Sequence, residues 1–376
     1  MSLEKWRLAE GSILCRMDGF QCSTSCPEIK WGSKPANRFS PLIISTLRDG
    51  TPEGSGEKNM SIMPQIAAML LKEHRHRAIE GDILLIGRQT VLLTVNEARG
   101  LMEREGVEIR DGFVLEIDRS TVGNEVGEYL TDRSFFSMFC GGRVLALDVS
   151  DYEGAEVVHD LNVELPERYC GVADFIFNGS CLDNLFDPAM AIKSMSRMLR
   201  VGGRILMFEH GTPIQSAFLC YSPEWFFDYF AINDYADCQI FVCVFERSMQ
   251  DSWTAFRWLP FYEEEGKLKA TPLNVGAGDF VSVVVAEKGD NSSDIRTPIQ
   301  SHYRSFQDDP LSKIYIAKFE EFSRTKRNFS FAAISAAPTQ VPALSGSLTE
   351  SEDRAAIVQT KGVVPVGILE ALLPLR

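Results

Sequence analysis

From Asp82 onward, apolar runs of about five residues alternate with longer stretches whose apolar positions recur every three or four residues. The clearest case is ADFIFNGSCLDNLFDPAMAIKSMSRMLRVGGRILMFEHG, residues 173–211. The run Ala173 to Phe177 predicts a buried strand that stops at Asn178-Gly179-Ser180. Ala191, Met195, Met198 and Leu199 then fall on one stripe, which predicts a helix. Val201-Gly202-Gly203 turns the chain into a second apolar run, Arg204 to Phe208. Glycine suits the left-handed backbone needed to end a helix and enter a strand directly. Strand, polar loop, helix, glycine turn and strand form a βαβ unit, so the pattern predicts a parallel sheet with helices on its faces. A ligand of such a sheet lies outside the carboxyl ends of the strands, here residues 178–184 and 209–212.

The same reading extends along the chain. Met63 to Arg77 is predicted helical, with Ile66, Met69 and Leu70 on one face. His74, Arg75, His76 and Arg77 sit in its last turn, where positive charge offsets the helix dipole. Asp82 to Ile86 reads as a strand, Gly87-Arg88-Gln89-Thr90 as a turn, and Val91 to Glu105 as a helix closed by Gly106. Arg143 to Leu147 is the next strand, ending at Asp148, and Ala155 to Val158 another, ending at His159-Asp160. Ser222 and Pro223 open a helix through Tyr229, and Cys238 to Phe245 and Phe280 to Ala286 are two further strands. This gives three segments: an N-terminal extension (1–59), an α/β domain (60–290) with irregular insertions at about 107–142 and 247–279, and a C-terminal extension (291–376). The last holds one helix over 308–328, the low-complexity stretch AAPTQVPALSGSLTESEDRA and an apolar end, VVPVGILEALLPLR, suited to docking on the body or on a partner.

Composition narrows the class. A hydrophobic fraction of 45% with 24% charged residues fits a soluble globular protein. A formal net charge of -14 disfavours non-specific binding to nucleic acid or to anionic membranes, which need a cationic surface. There is no apolar run of about 18 residues and no basic-then-apolar leader, so the expected location is cytoplasmic. Cys140, Cys170, Cys181, Cys220, Cys238 and Cys243 lie in or beside apolar segments and read as free, buried, reduced thiols. Cys22 and Cys26, with Cys15 upstream, lack a second pair at ligand spacing, so no metal site is expected.

Candidate chemistry collects at the predicted carboxyl ends. Asp148, followed by Val149, is placed to accept ribose hydroxyls, or simply to cap the turn in DVSDYEG. Gly87-Arg88-Gln89 occupies the first strand-to-helix turn, where glycine lets a ligand approach the backbone. It lacks GxGxxG, which argues against a pyrophosphate-bearing dinucleotide and against a nicotinamide-dependent reductase. Asp160 and Asn162 suit either an adenine amino group or a loop cap. Asn178, Gly179, Ser180, Asp183 and Asn184 make the densest polar group at a strand end. His210, beside Glu209, is the better-placed histidine for a general base, and Tyr221 and Trp225 suit a pocket wall or plain packing. No GxSxG, Walker A, HExxH or kinase signature occurs.

Taken in order, DILLIGRQ, RVLALDVSDYEG, AEVVHDLN, ADFIFNGSCLDNLFDP, AIKSMSRMLRVGGRILMFE and YSPEWFFDYF resemble a class I S-adenosylmethionine-dependent methyltransferase over about residues 60–290. RMLRVGGRILMFE is similar to that family's post-helix turn, and the GRQ turn with DxSDYEGA and HDxN resembles one branch of it. The chain departs from the family pattern where an acid followed by G-x-G is usual, and again at Asn178, where an acid is common. The resemblance implies a doubly wound, seven-stranded, mostly parallel sheet with an antiparallel last strand at Phe280 to Ala286. It implies S-adenosylmethionine held by Gly87, Arg88 and Gln89, by Asp148 and Val149 at the ribose, by Asp160 and Leu161 at the adenine, and by Asn178 and Gly179 at the methionine end. Methyl transfer to an oxygen or nitrogen of a small molecule follows, with His210, Tyr221 and Asp183 as catalytic candidates. The alternative is a catalytically silent module of the same fold, whose C-terminal extension recruits a protein partner or a second copy.

Overall fold

Charge-free runs such as Ile83 to Ile86 and Val281 to Ala286 are apolar on both sides of the strand, so they are stable only inside a sheet covered on both faces. The computed structural model bears this out. It describes residues 61–119, 128–151, 153–213, 217–245, 248–273, 278–303, 309–325, 327, 329, 331 and 362–370. The N-terminal extension, with Cys15, Cys22 and Cys26, and the 332–361 stretch lie outside these residues. In chain order the elements are β1 (Ser61–Ile62), α1 (Pro64–His76), β2 (Ile83–Ile86), β3 (Thr90–Thr94), α2 (Val95–Glu105), β4 (Tyr129–Thr131) and α3 (Asp132–Ser137). Then come β5 (Val144–Asp148), β6 (Val157–Val158), β7 (Ala173–Gly179), α4 (Pro188–Met198), β8 (Leu199–His210), α5 (Pro223–Ile232) and β9 (Asp237–Phe245). The chain ends with β10 (Trp253–Trp258), β11 (Phe261–Glu264), β12 (Lys267–Ala270), β13 (Asp279–Glu287), α6 (Pro310–Arg324) and β14 (Val363–Leu369).

The main sheet runs β14-β10-β9-β13-β8-β7-β2-β5-β6. It has nine strands among the described residues, not seven. The four pairings from β6 to β8 are parallel, and the four from β8 through β13, β9 and β10 to β14 are antiparallel, so the sheet is mixed. The expected antiparallel strand at Phe280 to Ala286 is β13. The two extra strands come from the 247–279 insertion, expected to be irregular, and from the apolar C-terminal run, expected to dock on the body or on a partner. Trp253, Ala255, Phe256 and Trp258 bury themselves as β10, and part of the apolar C-terminal run adds to its edge as β14. Leu85, Phe177 and Phe208 face α1, α2 and α3, while Leu84, Ile176 and Met207 face α4, α5 and α6. Each such side chain contributes roughly 1.5–3 kcal/mol relative to exposure.

Local differences from the sequence reading have physical causes. The helix expected from Val91 begins at Val95, because Thr90–Thr94 pairs with β1 and β4 in a small second sheet. Thr94 then caps α2 reciprocally with Glu97. The 107–142 insertion supplies β4 and α3. The expected helix over 308–328 is α6, Pro310–Arg324, packed on α5 through Phe227, Tyr315 and Phe322. Cys140, Cys238 and Cys243 are buried, but Cys170 and Cys220 are exposed and Cys181 is intermediate. No described helix is long and apolar enough to cross a membrane.

At the amino edge of the sheet, Glu73 of α1 is fully buried between Arg204 of β8 and Arg327, which also pairs with Asp237 of β9. Removing one partner of a buried ionic cluster leaves an uncompensated charge. Glu73→Ala is therefore expected to lower unfolding free energy by about 3 kcal/mol in urea titrations; a change under about 0.5 kcal/mol contradicts the role assigned to this cluster.

Candidate functional site

The chain fills the sheet outward from β2 in two directions, first β5 and β6, later β7 and β8. That reversal makes the carboxyl ends of β2, β5 and β7 a topological switch point, where a crevice opens in sheets of this kind. Ile86 pairs with Leu147 on one side and Asn178 on the other. Gly87 follows directly, its N–H donating to the Leu147 carbonyl at 2.7 Å, so the turn opens beside the ends of β5 and β7, at Asp148 and Gly179.

The turn between β2 and β3 is tied down by charge. Gly87 takes φ 76°, a left-handed conformation. The buried Arg88 guanidinium reaches Asp132 Oδ1 at 3.1 Å, Glu156 Oε2 at 3.0 Å and the Gly154 carbonyl at 2.9 Å. Asp132 Oδ2 accepts the Gln89 backbone N–H at 3.0 Å. The Gln89 side chain folds back, its Nε2 donating to the carbonyls of Ile86 (3.0 Å) and Gly87 (3.3 Å). A methyl group on Gly179 would stand 2.2 Å from Gln89 Oε1, so glycine there admits this close packing. Asp132, from the 107–142 insertion, had no signature in the sequence.

At the ends of β5 and β6, Asp148 Oδ1 accepts the Val149 N–H at 2.6 Å, and Val149 is exposed. Asp160 Oδ1 accepts both the backbone N–H and the side-chain amide of Asn162, each at 2.9 Å, which holds its carboxyl below the usual range. Asn162 Oδ1 in turn accepts Phe186 and Asp187 N–H groups, so this pair clamps the loop ahead of α4. Leu161 is buried in the core beneath that loop.

Beside β7 the ends of two apolar strands meet as a buried polar group. Asn178 Nδ2 donates to Glu209 Oε1, which also accepts the Leu182 N–H at 3.1 Å. Burial first, and then the charge of Asp183, push the Glu209 carboxyl well above the ordinary range. Ser180 sits at φ 63°, unusual for a residue with a side chain, and its hydroxyl lies 2.6 Å from Asp183 Oδ2 and 2.8 Å from His210 Nδ1. His210 Nδ1 is 2.7 Å from the same Asp183 oxygen. Its Nε2 lies 3.3 Å from the Met249 sulfur. The Tyr221 hydroxyl donates to the Leu182 carbonyl at 2.8 Å and its ring packs on Trp225. Three buried acceptor atoms near the strand ends, Gln89 Oε1, Asp183 Oδ1 and Glu209 Oε2, make no hydrogen bond among the described residues. Glu209 had a sequence signal: ILMFE and ADFIFN are adjacent apolar strands that both end in a polar residue.

No family model matches the chain, and no curated protein matches it. Solved structures resemble it at low identity. The CMeT domain of the citrinin polyketide synthase is 11% identical, with 60% of this chain and 52% of that chain covered and a TM-score of 0.31. The YcgJ protein of Bacillus subtilis is 11% identical, over 60% and 98% of the two chains, at 0.30. Phosphoethanolamine N-methyltransferase 2 of Haemonchus contortus, solved with S-adenosyl-L-methionine, is 12% identical, over 59% and 52%, at 0.29.

A carboxyl whose folded-state pKa is raised contributes stability that is full below the unfolded value, about 4.5, and lost as pH climbs toward the raised one. Glu209→Gln keeps an acceptor for Asn178 and Leu182 but cannot ionise. Its melting temperature is expected to exceed the parent's at pH 8 and to match it near pH 4. A parent more stable than the variant at pH 8 contradicts the raised carboxyl.

Proposed function

We propose that the chain binds S-adenosylmethionine along the rim formed by β5, β2 and β7, and transfers its methyl group to an oxygen or nitrogen of a small-molecule acceptor. The observation that carries this reading is the alignment of Asp148, Gly87 and Gly179 at the switch point, beside buried acceptors that lack donors. A ligand with two ribose hydroxyls and an ammonium, but no phosphate, suits such an edge. Asp148 and Val149 would hold the ribose, and Asp160 and Leu161 the adenine side. Gly87, Arg88, Gln89, Asn178 and Gly179 would hold the methionine end. Gln89 must swing off the carbonyls of β2 for this, exchanging two neutral hydrogen bonds worth about 1 kcal/mol each.

When bound, the sulfonium supplies an already activated methyl group, so the protein's task is alignment in a dry pocket, worth up to several kcal/mol. His210, held by Asp183, is our candidate base for a hydroxyl acceptor, with Met249 displaced from its Nε2. Tyr221 orients the Leu182 end of this group.

One observation favours a second reading, a silent binding module. The Gln89 amide already satisfies the β2 carbonyls, and the cavities of about 560, 400 and 200 Å³ are lined by none of Gly87, Asp148 or Asn178. Calorimetry with S-adenosylmethionine and S-adenosylhomocysteine separates the two. The transferase reading expects saturable binding that weakens about tenfold or more in Asp148→Ala. Absence of heat at about millimolar ligand favours the module.

A further inference from the structure

Two loops at the carboxyl edge of the sheet carry phenylalanines that the fold leaves uncovered. Phe186, between β7 and α4, is 88% exposed, and Phe218, between β8 and α5, is 70% exposed. Every other phenylalanine whose side chain is described is buried or half-buried. The two rings nevertheless meet, with centroids 6.4 Å apart and planes at 83°. An edge-to-face pair hides little of either ring and leaves ring faces open at right angles to one another. Val163, beside Asn162, and Leu219, beside Phe218, are exposed as well.

Backbone hydrogen bonds hold the pair in place. Asn162 Oδ1, after β6, accepts the N–H groups of Phe186 at 3.0 Å and Asp187 at 2.9 Å. The Asp183 carbonyl accepts the Phe218 N–H at 2.7 Å, and the Asp183 carboxylate lies 2.7 Å from His210 Nδ1. One residue thus links the candidate base to the exposed rings. An aromatic surface positioned in advance binds a ligand at lower entropic cost than a mobile one. The charged side chains of the three segments that build this corner, 160–163, 183–187 and 217–220, are Asp160, Asp183 and Asp187, all acids. Carboxylates there oppose an anionic ligand, while open phenyl faces favour a planar apolar one.

We infer that the methyl acceptor is a neutral phenol whose planar ring stacks against Phe186 and Phe218. The inference rests on the transferase reading and names the acceptor class for it. A flat ring stacked on one phenylalanine meets the other edge-to-face, whereas a saturated ring covers neither face well. An aryl carboxylate would meet Asp160 and Asp187. A hydroxyl acceptor, unlike an amine, needs a base, and the Asp183–His210 pair linked to the rings supplies one. Transfer to the phenol oxygen forms an O–CH3 bond as the sulfonium C–S bond breaks, passes the phenolic proton to His210 and releases the thioether.

Titration calorimetry of the full chain with 2-naphthol, 2-naphthoate and decahydro-2-naphthol, each with and without saturating S-adenosylhomocysteine, tests this. 2-Naphthol is expected to bind at least about tenfold more tightly than the carboxylate or the saturated alcohol. Phe186→Ala and Phe218→Ala should each weaken 2-naphthol about tenfold, with S-adenosylhomocysteine affinity and melting temperature unchanged because both rings are exposed. Phe218→Tyr, which keeps a ring, should retain 2-naphthol binding. A chain that binds S-adenosylhomocysteine but takes 2-naphthol no better than its saturated counterpart overturns the phenol proposal and leaves the transferase reading standing. Alanine variants that lose S-adenosylhomocysteine and keep 2-naphthol overturn it too. Ring-dependent 2-naphthol binding without any S-adenosylhomocysteine binding supports the aromatic site and sinks the transferase reading instead.

Discussion

The ion pair between Arg88 and Asp132 holds the turn at which the sheet reverses direction. Both side chains are almost wholly buried. A buried pair of this kind adds little net stability over apolar neighbours, because desolvation cancels most of its attraction. Its contribution is geometric. Asp132 takes the Arg88 guanidinium with one oxygen and the Gln89 N–H with the other, while Arg88 reaches on to Glu156 and Gly154 beside β6. The β2 turn, the start of α3 and the loop ahead of β6 are thereby locked as one unit, with Gly87 facing the rim.

A second constraint shapes the other half of the rim. Asn178 and Glu209 end two apolar strands that must pair in register, so their polar atoms are buried by the same packing that aligns the strands. Ser180 at φ 63° and the Asp183–His210 contact extend that polar group. Strained backbone and unsatisfied acceptors gather here rather than in the amino-edge ion cluster, where Glu73, Arg204, Arg327 and Asp237 are mutually paired. Functional sites are where local rules are broken and compensated elsewhere. That contrast is why the carboxyl edge, and not the more highly charged amino edge, is read as the working end.

Much of the core architecture was legible in periodicity. The stripe Ala191, Met195, Met198 and Leu199 is buried as expected, although Leu199 already opens β8, and Gly202, at φ 77°, lies near the start of that strand and not in a separate link. Periodicity failed where an apolar run suits either element. Thr90–Thr94 reads equally as the first turn of a helix, and only its pairing with β1 and β4 makes it a strand. Edge strands β10 and β14 were hidden because their pairing is non-local: Trp253 meets Leu369 across more than a hundred residues. At the rim, glycines and strand-end polar residues could be named from order alone. Arg88 could be named but its partners could not, since Asp132 comes from a segment read as irregular and Glu156 from one read only as a strand. Asp160 and Asn162 kept two readings in sequence, and the structure shows them bonded to each other.

Hydrogen–deuterium exchange of the full chain with and without S-adenosylhomocysteine addresses the central claim most directly. The account predicts ligand-dependent protection that includes backbone amides at 87–90, 148–149 and 178–183, because these segments follow the adjacent strands β2, β5 and β7. Unchanged exchange at those three segments under saturating ligand, or protection that appears only on α4 and α5, would contradict it.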